Sequence, residues 1–196
     1  MMNTFEEGGD IWYLPTDDPN RKTEGTWILS KTPHGRTACV NTHYANTLVE
    51  EAINEGIIRE LTGYSTIQRE VKYGEENSRI DFLLTDPEKG ACYVEVKSVT
   101  LGFKESQIAA FPDAVTTRGQ KHLRELIHLA ERGIRAVLLY CVNLTDIKGV
   151  RVADEIDPEY AALLKQAEDS GVEIIAYRTL LTPEKLQIRE SVDLYL

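Results

Sequence analysis

Cysteine is scarce in this chain. There are three in 196 residues, Cys39, Cys92 and Cys141, far apart and set in or beside apolar segments. None forms a C-x-x-C pair, which excludes a disulfide framework and argues against a zinc site; buried reduced thiols are the expected state. No apolar run is long enough to span a bilayer, and no signal-peptide pattern is present. The expectation is a cytoplasmic protein without a membrane partner. Positive charge is also short, 22 Lys/Arg against 32 Asp/Glu for a net charge of −10, which excludes indiscriminate coating of nucleic acid. Internal repeats and low-complexity stretches are missing too.

What is present is an ordinary globular composition, 42% hydrophobic and 28% charged, in a length that suits one large domain or one domain plus a fragment. Residues 1–38 stand apart. Segments 11–14 and 26–29 read as two strands around a polar loop, too few for a stable domain by themselves, so they either join the main sheet or belong to a larger β module. From Asn41 a helix carries Tyr44, Leu48, Ala52 and Ile53 on one face, with Gly56 at its C-terminal cap. A strand over 67–73 is followed by a turn, then by alternating strands over 79–84 and 91–97. A second helix spans 116–132 with Leu123, Leu126, Ile127 and Ala130 as its core stripe. A buried strand covers 135–142, Asp157 caps a third helix with Pro158 at its first position, and 172–177 is a further strand. This order defines an α/β domain with a mixed sheet flanked by helices.

Asp81 and the run Glu95-Val96-Lys97 lie on the two adjoining strands 79–84 and 91–97. Strand side chains alternate, so Glu95 and Lys97 share a face and Asp81, opposite in face to Ile80 and Phe82, can join them. Two carboxylates and an ammonium on otherwise apolar strands suit a divalent metal with a cation beside it. The plainer alternative is a surface hairpin with an ordinary Glu–Lys pair, worth less than about 1 kcal/mol. Gln120 falls near the apolar stripe of the second helix, as does Thr116, and is read as a site residue rather than a satisfied core amide; Lys121 points to solvent. His122 lies on neither the stripe nor the Gln120 side and is not assigned to the site, and His43 is read as structural. Residues 97–135 hold seven Lys/Arg and four Asp/Glu, the only net-basic segment, as a phosphodiester-binding cleft would need.

Several stretches together resemble the sugar fermentation stimulation protein (SfsA) family: Cys39-Val40-Asn41-Thr42, Val71-Lys72-Tyr73-Gly74, Ser78-Arg79-Ile80-Asp81-Phe82, residues 93–101, and above all residues 111–126 from Phe111-Pro112-Asp113 onward. The resemblance implies a C-terminal PD-(D/E)xK restriction-endonuclease-like domain over 39–196. Residues 1–38 would be a partial OB-fold remnant, Met1 corresponding to a point inside the usual OB-fold. It implies DNA as partner. Asp81, Glu95 and Lys97 match the acidic, acidic and lysine positions of the nuclease motif, with Ile80 where the motif's name has proline. Gln120 matches the polar position on the following helix. Glu51 is a candidate for the first-helix glutamate of some superfamily members, joining Asp81 and Glu95 as metal ligands.

The chemistry so implied uses Mg2+ (or Mn2+) on carboxylate oxygens, with one or two ions equally compatible. Lys97 would orient water or stabilise developing charge. Thr116, Arg118 and Lys121 are candidates for DNA backbone contacts, Arg118 foremost because its fork fits phosphate. Two functions of different class follow: a Mg2+-dependent endodeoxyribonuclease, or a non-cleaving, non-specific DNA-binding regulator of sugar (maltose) metabolism. The two N-terminal strands, with open edges and apolar surface, favour self-association, a homodimer being its simplest form.

Overall fold

The computed structural model describes residues 2–196. Its centre is a six-stranded mixed sheet in the order β11-β10-β8-β6-β5-β4. These strands are β4 (Thr66–Tyr73), β5 (Ser78–Asp86), β6 (Gly90–Val99), β8 (Arg135–Val142), β10 (Glu173–Leu181) and β11 (Leu186–Ser191). β6, β8 and β10 run parallel, as the intervening helices require, while β4, β5 and β11 attach antiparallel through tight turns. Helix α1 (His43–Asn54) covers one face, burying Leu48, Val49 and Ile53 against Phe82, Val94 and Leu139. Helices α2 (Thr117–Glu131) and α3 (Pro158–Asp169) cover the other, packing Leu123, Leu126 and Leu164 with Leu138 and Tyr140. The helix, three strands, helix, strand, helix, strand order read from sequence is found with four further strands, one after the first three, one after the fourth and two at the end.

The caps explain where the last two helices begin. The Thr116 side chain accepts from the Gly119 N–H at 3.0 Å, and Asp157 accepts from the Tyr160 N–H at 3.0 Å with Pro158 next in line.

The strands of residues 1–38 do not join the central sheet. β1 (Ile11–Pro15) and β2 (Gly25–Lys31) pair with the short β3 (Thr37–Cys39) in a three-stranded antiparallel sheet. Ile28, Leu29 and Cys39 pack on Leu181, and the Cys39 N–H donates to the Asn143 carbonyl at 3.0 Å. The boundary expected between residues 38 and 39 therefore falls inside a strand that is hydrogen-bonded on both sides. A third sheet, wholly parallel, joins β7 (Ile108–Phe111), β9 (Gly149–Val152) and β12 (Asp193–Tyr195). These strands are three or four residues long, too short to print an alternation on the sequence.

One irregularity in the central sheet positions everything that follows. Along β5, Ile80 packs on the α2 face whereas Phe82, two residues on, packs on the α1 face. Regular alternation forbids this, so the strand changes sides at Asp81. Its neighbour across the hairpin is Glu70, a non-glycine residue at φ 53°, and the ladder is bridged at Arg69–Phe82 and Val71–Ile80 but not between them. From the same point β5 leaves β6. Their pairing ends at Phe82–Val94, although β6 continues beside β8 to Val99. The expectation that Asp81 lies opposite both Ile80 and Phe82 is thus corrected, because those two residues are themselves on opposite faces.

Candidate functional site

The parting of β5 and β6 opens a wedge beside Glu95, Val96 and Lys97. Asp81 fills its throat. One carboxylate oxygen accepts from the Val96 backbone N–H at 2.8 Å, replacing a bond that the departed strand no longer makes. The other accepts from the Asn46 side-chain amide on α1, also at 2.8 Å. Burial raises the Asp81 carboxyl above the ordinary Asp range, and the nearby Glu95 charge pushes the same way against those hydrogen bonds.

Glu95 is 2% exposed. Its Oε1 accepts from Lys97 Nζ at 2.7 Å and contacts His122 Nδ1 on α2. Burial opposes its ionisation, but the Lys97 ammonium and the hydrogen bond from His122 outweigh that and hold the carboxyl below the usual Glu range. His122 Nδ1 also lies 3.2 Å from Lys97 Nζ. The contact with Glu95 assigns the imidazole hydrogen to Nδ1 as donor. Glu95 Oε2 faces differently: it is buried and has no hydrogen-bond partner among the described residues.

These groups line a cavity of about 450 Å³ with Glu70, Asn46, Arg118 and Asp113 on its walls. Asp81, Glu95 and Lys97 are brought together as the sequence suggested. Two other assignments are corrected. Gln120 turns away from the cavity: its Nε2 donates to Asp157 at 2.9 Å, and the same carboxylate takes the Thr116 N–H at 2.8 Å, so Gln120 is the satisfied core amide. Glu51 is exposed on α1 and outside the cavity wall; α1 presents Asn46 to Asp81 instead, and five residues further on the helix has turned by about 140°. Among the described residues no group of three His, Cys, Asp or Glu side chains is gathered as a ready metal cluster, so the set Asp81, Glu95 and Glu51 is not assembled.

Of the expected backbone-contacting residues, Thr116 has both its N–H and its hydroxyl committed to capping interactions. Arg118 is exposed and lines the cavity, and Lys121 lines an adjoining groove.

Sequence reasoning does not single out Asn46, and it misses two further residues. His122 lies off the four-residue stripe of α2, yet it is 4% exposed. Leu129, buried and seven residues on, shares its side of the helix and is the signal that the buried arc is wider. Glu70 carries no signal, since a left-handed residue within a strand leaves no mark on composition.

A divalent cation fits the donor set in one specific respect: carboxylate oxygens are what a hard cation takes, and Glu95 Oε2 is a buried acceptor in need of a partner. With Asp81 and Glu95 as the carboxylates at the throat, water or phosphate oxygens would complete the shell.

Fold and cleft together define the class: an α/β protein of three layers with a carboxylate–lysine cleft where two central strands part. Comparison with known proteins gives the family. Residues 43–185 match the family model described as "Sugar fermentation stimulation protein RE domain". The chain is 57% identical over 195 residues to a sugar fermentation stimulation protein homolog of Pseudomonas syringae pv. tomato, covering 100% of this chain and 82% of that one. It is likewise 57% identical over 196 residues to the homolog of Pseudomonas fluorescens, covering 100% and 83%. The solved structure of Pyrococcus furiosus SfsA in complex with Ca2+ superposes with a TM-score of 0.84 at 30% identity, covering 95% of this chain and 78% of that one. The chain belongs to the sugar fermentation stimulation protein family. Among the described residues no helix is long and apolar enough to cross a membrane.

Proposed function

We propose that this protein is a Mg2+-dependent (or Mn2+-dependent) nuclease acting on DNA, with a PD-(D/E)xK-type core and an N-terminal β1–β3 sheet of OB-fold type. The observation that carries the reading is the unpartnered, buried Glu95 Oε2 beside Asp81, with Lys97 fixed on the opposite oxygen. The Pyrococcus furiosus relative, solved in complex with Ca2+, supports a divalent cation as ligand.

Bound by Asp81 and Glu95, a divalent cation would supply Lewis-acid polarisation of a phosphate oxygen and a more acidic water. Lys97 presents its ammonium at the same mouth, where it can hold the attacking water or meet the charge that develops on the phosphate. His122 keeps Glu95 Oε1 occupied, so that Oε2 is the oxygen left for the cation. Asn46 and the Val96 N–H fix the Asp81 carboxylate in orientation. Arg118, exposed at the rim, offers a guanidinium fork to a backbone phosphate.

The second reading, a non-cleaving DNA-binding regulator of sugar metabolism, is favoured by a single observation: the Lys97 ammonium already pairs with Glu95 without any metal. Cleavage of supercoiled and single-stranded DNA with Mg2+ and with EDTA separates the two, run beside Glu95→Ala and Lys97→Ala. Cutting that needs the metal and disappears in both variants is expected. Bound but uncut DNA in all samples would favour the regulator.

A further inference from the structure

A second groove, about 750 Å³, adjoins the cleft and shares Arg118 and His122 with it. One bank is the β4–β5 hairpin with Lys72 and Arg79; the other is the first turns of α2 with Arg118 and Lys121. Among the described residues no carboxylate lines it, in a chain whose net charge is −10. Lys72 and Arg79 are direct cross-strand partners. Like charges placed opposite one another destabilise a sheet. The Arg79 guanidinium reaches the Glu70 carbonyl, at 3.3 Å, rather than a carboxylate.

A solvated basic face would account for scattered cations. It does not account for two of them set directly opposite each other with no carboxylate lining the groove. An anion in the groove would offset that repulsion.

The groove is also held at a fixed width. Glu125 of α2 accepts from the Glu76 N–H at 2.6 Å and the Glu75 N–H at 3.2 Å, strapping the hairpin turn to the helix. Arg124 adds a two-pronged pair to Glu76 at 2.8 and 2.9 Å. Gly74, at φ 72°, lies against that carboxylate so closely that a Cβ would sit 2.1 Å from Glu125. Such a preformed site avoids the ordering cost that flexible basic side chains on a loose loop would meet.

We infer that the β4–β5 hairpin and the start of α2 form a phosphodiester track that leads a nucleic-acid backbone into the Asp81–Glu95 cleft. The inference rests on the nucleic-acid reading of that cleft but not on cleavage. Contacts of this kind position a strand without reading its sequence.

The test is binding of fluorescent duplex DNA, single-stranded DNA and RNA, each about 20 nucleotides long and of mixed sequence, across a salt series in Ca2+, with cleavage followed in parallel in Mg2+. Lys72→Gln/Arg79→Gln is compared with Lys165→Gln/Lys185→Gln, two lysines outside the groove. The track predicts that affinity falls about tenfold or more for the first pair only. It also predicts that the slope of log K against log salt for duplex becomes shallower by about 2, roughly 0.9 for each phosphate that is no longer neutralised. The melting temperature of that variant should not fall, since a like-charge pair is removed. Unchanged affinity and slope, an equal loss in the control pair, or no nucleic-acid binding by wild type would overturn it. Binding that depends on Lys72 and Arg79 without cleavage in Mg2+ would retain the track and remove the hydrolytic reading.

Discussion

Replacing Asp157 by alanine tests whether Gln120 serves the fold or the chemistry. The Asp157 carboxylate, 1% exposed, takes the Thr116 N–H, the Tyr160 N–H and the Gln120 amide, and so ties together the first turns of α2 and α3. Losing the cap of α3 costs about 1 kcal/mol. The charged bond to Thr116 adds about 1.5 kcal/mol, and stranding the buried Gln120 amide another ~1–3 kcal/mol. Allowing for relaxation, about 3–5 kcal/mol is expected, or a fall of roughly 10 °C in Tm for a chain of this size. Urea unfolding of Asp157→Ala, Gln120→Ala and the double variant gives the coupling. The two single losses should overlap strongly, with divalent-cation affinity by calorimetry unchanged in Gln120→Ala. The pH dependence supplies a second check. Burial pushes the Asp157 carboxyl up, but its three donors outweigh that and hold it below the ordinary range. A depressed carboxyl binds fewer protons folded than unfolded, so its contribution is complete above the unfolded value of about 3.9 and is lost as pH falls through the folded value. Wild type and Asp157→Ala should therefore converge in stability only in acid. A loss below about 1 kcal/mol, additive single effects, or a Gln120→Ala variant with intact stability and weakened metal binding would refute the structural role.

Glu51→Ala is expected to leave calorimetric Mg2+ affinity within error of wild type, whereas Asn46→Ala, which frees one Asp81 oxygen, should alter it; the reverse pattern would restore the glutamate to the site. Gly74→Ala should destabilise by roughly 2 kcal/mol or more, since positive φ and the Glu125 carboxylate both oppose a Cβ, and amide exchange at Glu75 and Glu76 should accelerate. Ile11, Tyr13, Leu14 and Trp27 are each between 39% and 52% exposed on the small N-terminal sheet. Light scattering should therefore show concentration-dependent self-association that Tyr13→Lys/Leu14→Lys reduces, and a monodisperse wild-type monomer would count against it.

Helices and central strands are legible because each repeats a simple signal: α3 by Asp157-Pro158 and Gly171, β8 by an unbroken apolar run, and β6 by Glu95 and Lys97 alternating with Val94 and Val96. The short strands of the third sheet are not, because neighbours rather than composition make them strands. At the site, pairing rules bring Asp81 to Glu95 but for an incomplete reason: alternation is expected to continue through Asp81, where it breaks. Gln120 escapes the rules because helical geometry says which side a residue faces and not what stands there. Its partner, Asp157, is 37 residues away and reads in the sequence only as a helix cap.

The departure of β5 leaves β6 with an internal edge, a row of strand backbone in the middle of a sheet that has lost its neighbour on one side. Exposed edges invite other chains to pair. Here the first open donor, the Val96 N–H, is stoppered by the Asp81 side chain. The residue assigned to the metal is thus also the plug of the sheet. Asp81→Ala removes an acceptor that protects the fold along with the proposed cation ligand, and the two losses cannot be told apart by activity. Asp81→Asn keeps an oxygen for Val96 and turns its amide to Asn46, whose own amide must flip to accept, so that substitution preserves the plug while removing the negative charge.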